Sequence, residues 1–237
     1  MSEPTRRRFL FRSSGAIAGS FFANGLAGAD EEGGYFSQSG LVTGKLKPLR
    51  HRAIPGFLSA EQMAPHHQAH YGGALRGYSA ADKKLEQSVL TGTAIDAAAY
   101  GALQRSRTSK GNSVILHELY FDGMAPRGSD PGKALAAALK KRFGSVEKWA
   151  DDFQNSALAA AGWAMLVRHP VNGKLYNVVS DEHAHGPLWM AVPLVVIDVY
   201  EHAFYIDYQN RKADYVKKFF NHINWQEAET RYRLAQR

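Results

Sequence analysis

The pentapeptide Asp198-Val199-Tyr200-Glu201-His202 constrains the fold of this chain more than any other stretch. It closes a continuous apolar run, residues 194–199, that Pro193 introduces and that reads as a buried strand. A carboxylate and an imidazole therefore stand four positions apart at the end of a buried element. Upstream, one predicted helix offers His66 and His70 and a second offers His117. Three neutral imidazoles and one carboxylate make a mixed N/O set for a borderline first-row cation, with a position left for water or substrate. A fold that uses this set must bring together segments more than a hundred residues apart.

Bulk properties narrow the choice. The chain has 237 residues, 45% of them apolar, enough for one large domain or two small co-packed ones. It has no cysteine, which excludes disulfides, thiolate zinc sites and thiol catalysis. Thr5-Arg6-Arg7-Arg8-Phe9-Leu10 fits a twin-arginine export signal, followed by a weakly apolar Gly/Ala-rich run and Ala27-Gly28-Ala29 as a cleavage site. Glycines, serines and Asn24 interrupt that run, so it does not read as a transmembrane anchor. Cleavage after Ala29 would leave 208 of the 237 residues, in a periplasmic or secreted protein that has met the twin-arginine machinery. The leader holds four arginines and one glutamate, a net +3 of the chain's +7, so the remainder carries +4. With no Lys/Arg cluster interleaved with aromatics, nucleic acid is not an expected partner, nor is a membrane after cleavage. The modest positive charge suits attraction of a small anion.

Along the chain, residues 30–45 are glycine-rich and polar and read as a tether. Ser59-Ala60-Glu61-Gln62 is a capping box opening a helix. Pro65 implies a kink or a new helix start. His66, His70, Ala74 and Tyr78 recur every four residues on one face. Ser79 is positioned to cap a further helix to about Leu90, giving an antiparallel hairpin, and another helical stretch contains His117. Residues 123–131 are turn-rich and divide an N-terminal helical-hairpin domain, residues 46–125, from a C-terminal α/β domain, residues 126–237. In the latter, helices over 133–142 and from Ser145 to about Ala161 precede two extended runs, 163–167 and 175–179. Asn172-Gly173 between them is a strong hairpin signal. Helices over 214–222 and 226–234 close the chain. The fold class is α+β, with a small antiparallel sheet.

The segment from Asp198 to Trp225 closely resembles the C-terminal signature of iron/manganese superoxide dismutases. The resemblance extends past the carboxylate and histidine to Tyr205, Gln209-Asn210-Arg211, Asp214-Tyr215 and Asn224-Trp225. It implies disproportionation of superoxide to dioxygen and hydrogen peroxide at one iron or manganese ion per subunit. It further implies His66, His117, Asp198 and His202 as ligands, His70 and Tyr205 lining the entrance, and Glu201 bracing a homodimer by reaching the partner's last histidine. His67 competes with His66 as its neighbour. A zincin motif is excluded, because Phe121 stands where H-E-x-x-H starting at His117 needs histidine.

The departures from the family pattern are specific. Ala74 occupies the position of its gate tyrosine, with Tyr78 or Tyr71 as possible hydroxyl sources. The solvent-binding glutamine is absent from both its alternative places, here Ser113 and Ala184, which leaves His183 or His185 to take over the role. Phe121, Met165 and Tyr200 stand where tryptophans are usual, while Trp163 is kept. The alternatives to dismutation are a metalloprotein of the same fold with altered redox activity, such as a weak peroxidase, or a metal-free interaction module.

Overall fold

A computed structural model describes residues 34–236. The arginine pair, the leader and its cleavage site lie outside the described residues, as do residues 30–33 of the expected tether. Tyr35–Arg237 form one compact unit with helices first and a three-stranded antiparallel sheet in the second half, so the chain is α+β.

The rest of the expected tether is docked on the core, which corrects the sequence reading. Ser39 caps a short helix, α1 (Gly40–Thr43), which ends on Gly44 in the left-handed region at φ +68°. The Gly40 amide donates to the buried Glu118 carboxylate at 2.7 Å. A Cβ on Gly40 would come within 2.9 Å of the Tyr71 hydroxyl, so this close approach requires glycine. The residues that look like a polar linker are polar because they complete a network on the core.

Ser59 caps α2 (Ala60–Pro65), accepting from the Gln62 amide at 3.0 Å. Helical backbone then runs without interruption through a π-helical segment (His66–Tyr71) into α3 (Gly72–Thr91). Pro65 therefore does not start a separate helix. Proline supplies no amide donor, and the helix widens immediately after it, a local adjustment seen often at functional sites. Ser79 caps nothing: it lies inside α3, where no glycine or proline stops propagation. The break comes at Gly92, in the left-handed conformation at φ +67°. Asp96 then caps α4 (Ala97–Asp122) with its carboxylate. The hairpin pairs α3 with α4, with the Tyr78 ring laid over Gly111.

Beyond the turn region come α5 (Lys133–Phe143) and α6 (Val146–Ala159), the latter capped by Ser145. The sheet holds β1 (Trp163–Arg168), β2 (Leu175–Ser180) and β3 (Val192–Asp198) in the order β2-β1-β3. Central β1 is covered on both faces and is almost uniformly buried, which is why it reads as a continuous apolar run. α6 packs on β1 and β2, and α4 and the last helix, α9 (Trp225–Leu234), pack on β3. A register shift between Leu166 and Val167 accommodates Pro193 on the edge strand β3. Past Asp198 follow a 3₁₀ turn (Glu201–Ala203), α7 (Tyr205–Tyr208), α8 (Lys212–Phe219) and α9 (Trp225–Leu234).

Arg231 on α9 ties these layers together. It is 2% exposed and donates to the carbonyls of Leu194 at 3.2 Å and Leu119 at 3.0 Å. Its Nε donates to the Tyr35 hydroxyl at 2.7 Å, which in turn donates to Glu227. Removing one member of such a buried network strands the others, at about 3–5 kcal/mol. Arg231→Leu should therefore lower the unfolding free energy by about that much in urea titrations at unchanged m value. A loss below about 1 kcal/mol would mean that the network is not a structural tie.

Candidate metal centre

Asp198 is the last residue of β3 and pairs with Trp163 on the central strand. Cross-strand pairing thus fixes its backbone, and its side chain is wholly buried. The Tyr200 amide donates to Oδ1 at 3.0 Å, which caps one carboxylate oxygen. The other, Oδ2, faces His66 Nε2 at 3.1 Å, His202 Nε2 at 3.4 Å and His117 Nε2 at 3.7 Å. The Asp198 carbonyl accepts from the Tyr215 hydroxyl at 2.7 Å, and Tyr215 accepts from the Tyr120 hydroxyl at 2.9 Å. Strand, turn and α8 are therefore locked around one carboxylate.

Each histidine arrives on a different element. His66 opens the π segment, His117 lies in the last two turns of α4, and His202 lies in the 3₁₀ turn. His117 Nδ1 donates to the Ser113 carbonyl at 2.7 Å, one turn earlier, which leaves Nε2 deprotonated and aimed inward. Buried Gln62 holds the His202 segment: its Nε2 donates to the His202 carbonyl at 2.6 Å and its Oε1 accepts from the Ile206 amide at 3.0 Å. The sequence reading missed this role, because the capping-box pattern assigns Gln62 a bond back to Ser59. The Ser59 amide instead donates to Asp207 at 2.7 Å.

The site is chemically prepared for a cation. Burial pushes His66 below the ordinary imidazole range, and burial together with the neighbouring His66 pushes His117 down to about 3, so both are neutral. Burial by itself would raise Asp198, but the facing His202 and His66 rings outweigh it and hold the carboxyl well below its usual range. Neutral imidazoles and an ionised carboxylate are the ligating forms. His117 Nε2 and His202 Nε2 are buried with no hydrogen-bond partner, although such orphans are rare. The four ligand atoms lie within 4.8 Å of one another. Ligands roughly 2.1 Å from a shared ion at right to trigonal angles are roughly 3–3.6 Å apart. The separations from Oδ2 fall close to that window, so the residues fit one metal ion.

The other expected residues separate clearly. His67 turns away, its Nε2 bonded to the Lys47 carbonyl at 2.8 Å. His70 is stacked on His202 with ring centroids 3.8 Å apart, and it is partly open to solvent, as are Tyr205 and Glu201. His183 comes to the cluster, its ring 6.3 Å from His117, and its Nδ1 accepts from Trp163 Nε1 at 3.0 Å. Asn112 donates to the His183 carbonyl at 2.8 Å, a support with no signal in the sequence. His185 does not join: it is exposed, near Glu182 at 3.7 Å. Tyr71 is excluded as a gate, since its hydroxyl donates to Glu118 at 2.7 Å and accepts from the Lys47 amide at 2.9 Å. Phe121 edges His66 at 5.0 Å and Tyr200 stacks on His202 at 5.3 Å, making the aromatic wall.

The depressed histidines set a pH dependence for the metal-free protein. In the unfolded chain they titrate near 6.5, and folded they resist protonation, so the unfolded state takes up protons first as pH falls. Stability is complete above about pH 6.5 and drains as pH drops toward the folded value, by about 1.4 kcal/mol per pH unit for each such histidine. Urea unfolding of metal-free protein between about pH 7 and pH 4.5 should show this slope. His117→Gln should reduce it by about one proton, and an unchanged slope would contradict the assignment.

Comparison with known proteins agrees with this geometry. The family model for the C-terminal domain of iron/manganese superoxide dismutases matches residues 131–231. Superoxide dismutase (Mn) 2 of Haloferax volcanii is 38% identical over 189 residues, covering 79% of this chain and 94% of its own length. Superoxide dismutase (Fe) of Cupriavidus metallidurans is 36% identical over 183 residues, 76% and 91% of the two chains. Superoxide dismutase (Fe) of Aquifex aeolicus is 34% identical over 197 residues, 81% and 92% of the two chains. With its matched C-terminal half, its full-length relatives and its four converging side chains, the chain belongs to the iron/manganese superoxide dismutase family.

Proposed function

We propose that this protein is an exported superoxide dismutase, disproportionating superoxide to dioxygen and hydrogen peroxide with one iron or manganese ion held by His66, His117, Asp198 and His202. The observation that carries the reading is the convergence of three Nε2 atoms on Asp198 Oδ2 in a buried pocket, within a chain of this family. When bound, the ion supplies the one-electron chemistry, alternating between the +3 and +2 states. The protein's part is to hold, orient and exclude. Ser113 and Gln62 fix two of the ligands, and Phe121, Tyr200 and Trp163 wall the pocket with aromatic surface.

Reduction of superoxide to peroxide consumes protons, and His183 is the residue proposed to handle them. Its Nδ1 accepts from Trp163, so the neutral ring carries its proton on Nε2. Burial, opposed in part by the Asp198 carboxylate, holds His183 below the ordinary imidazole range, which favours the neutral ring as a hydrogen-bond donor. It takes the role that the family resemblance gives to a glutamine, whose two places are Ser113 and Ala184 here. Tyr71 does not replace the missing gate at Ala74, because its hydroxyl is committed to Glu118 and Lys47.

Glu201, His70 and Tyr205 are proposed to meet a second subunit around His202, forming a homodimer. Their solvent exposure beside a buried ligand set supports this reading. Residues 1–29 are proposed as a twin-arginine leader, and no helix among the described residues is long and apolar enough to cross a membrane.

Purified protein should contain about one iron or manganese ion per chain and consume superoxide. Asp198→Ala should lose both metal and activity. His183→Ala should keep the metal and lose roughly 10–100-fold in rate. Full metal content in Asp198→Ala would overturn the ligand set, and an unchanged rate in His183→Ala would overturn the proton role. For export, N-terminal sequencing of extracytoplasmic protein should begin at Asp30. The Arg6→Lys/Arg7→Lys variant should stay inside the cell, and its normal export would contradict the twin-arginine assignment.

A further inference from the structure

Two loops emerge at the same end of the sheet. One is the β1–β2 hairpin tip, closed by the His169 amide donating to the Lys174 carbonyl at 2.9 Å. The other is the segment leading into β3, whose first residue Val192 pairs with Arg168. His169 Nε2 donates to the Trp189 carbonyl at 3.0 Å, so the two loops are joined. They present Val171, Leu188, Trp189 and Met190 to solvent, at 75%, 65%, 92% and 69% exposure. The protein's other tryptophans, Trp149, Trp163 and Trp225, are buried.

The backbone works to present this cluster. Leu188 and Ala191 close a turn, with the Ala191 amide donating to the Leu188 carbonyl at 3.0 Å. Trp189 and Met190 are its central residues, and Met190 sits at φ +74°. Turns that need positive φ at the third position normally use glycine there. A methionine in that place carries strain a glycine would not, and such strain clusters where a surface has work to do.

The charged side chains at the hairpin tip itself are cations. Arg168 lies against the hairpin tip, with its guanidinium 3.5 Å from where a Gly173 Cβ would stand, and Lys174 follows in the same loop. No Asp or Glu occurs between Asp152 and Asp181, or between Glu182 and Asp198. An exposed tryptophan with flanking aliphatic side chains and a cationic rim suits the headgroup layer of an anionic bilayer. A second copy placed by two-fold symmetry would instead set these cations against each other. We propose that this end of the sheet is a peripheral docking surface for anionic phospholipid membranes, with Trp189 seated among the headgroups. This goes against the expectation from sequence that the processed chain has no membrane partner.

The full-length, metal-loaded protein can be tested directly, because the leader contains no tryptophan. Vesicles of phosphatidylglycerol and phosphatidylcholine should blue-shift the exposed emission and protect it from acrylamide, and brominated lipid should quench it. Pure phosphatidylcholine should have much less effect, and added salt should weaken the response. Trp189→Phe should remove the shifting component while leaving superoxide consumption unchanged. Lys174→Glu should weaken vesicle affinity by roughly tenfold. Unchanged emission and acrylamide access at saturating anionic vesicles would overturn the proposal. So would concentration-dependent protection of Trp189 without lipid, which would identify a second copy as the occupant.

Discussion

Everything at the centre of this protein depends on one buried charge. Asp198 is fully enclosed, yet its surroundings keep it ionised. A carboxylate taken out of water costs several kcal/mol unless it is compensated. One oxygen is compensated by the Tyr200 amide, and the other faces three imidazoles of which burial keeps at least two neutral. Neutral rings offer lone pairs where a buried anion needs positive charge. A metal cation resolves that mismatch, and the same arrangement makes the site selective for a charged occupant. The sheet, the π segment, α4 and the 3₁₀ turn each deliver one side chain to this point, so loosening any of them disturbs the same balance.

Much of this was legible in the sequence, for identifiable reasons. The apolar run ending in Asp198 declares a buried strand, and His202 follows at a fixed local spacing, so that half of the site is written in adjacent residues. Ser59, Ser145 and Asn172-Gly173 mark element boundaries through local hydrogen bonding and turn conformation, which few other residues provide. His66 and His117 became specific only through resemblance to a family, because a histidine at helical spacing has many uses.

What was not legible depends on tertiary partners. Ser79 has the chemistry of a cap, but α3 continues because its packing against α4 outweighs a local preference. Tyr35 and Gly40 look like linker until Arg231, Glu227 and Glu118 are brought to them from positions 78–196 residues away. That His183 rather than His185 lies beside the cluster depends on Trp163, whose indole engages only the first. The loss of the gate tyrosine at Ala74 was visible at once. That Tyr71 does not fill its role follows from bonds to Glu118 and Lys47 that no spacing rule encodes.

The central claim is that a single ion sits where three Nε2 atoms and one carboxylate oxygen converge. An anomalous-difference map from crystals of metal-loaded protein, measured at the iron and manganese edges, tests it most directly. One peak roughly 2.1 Å from His66, His117 and His202 Nε2 and from Asp198 Oδ2 is the predicted result. A peak bound elsewhere, or one that leaves Asp198 outside bonding distance, would contradict it.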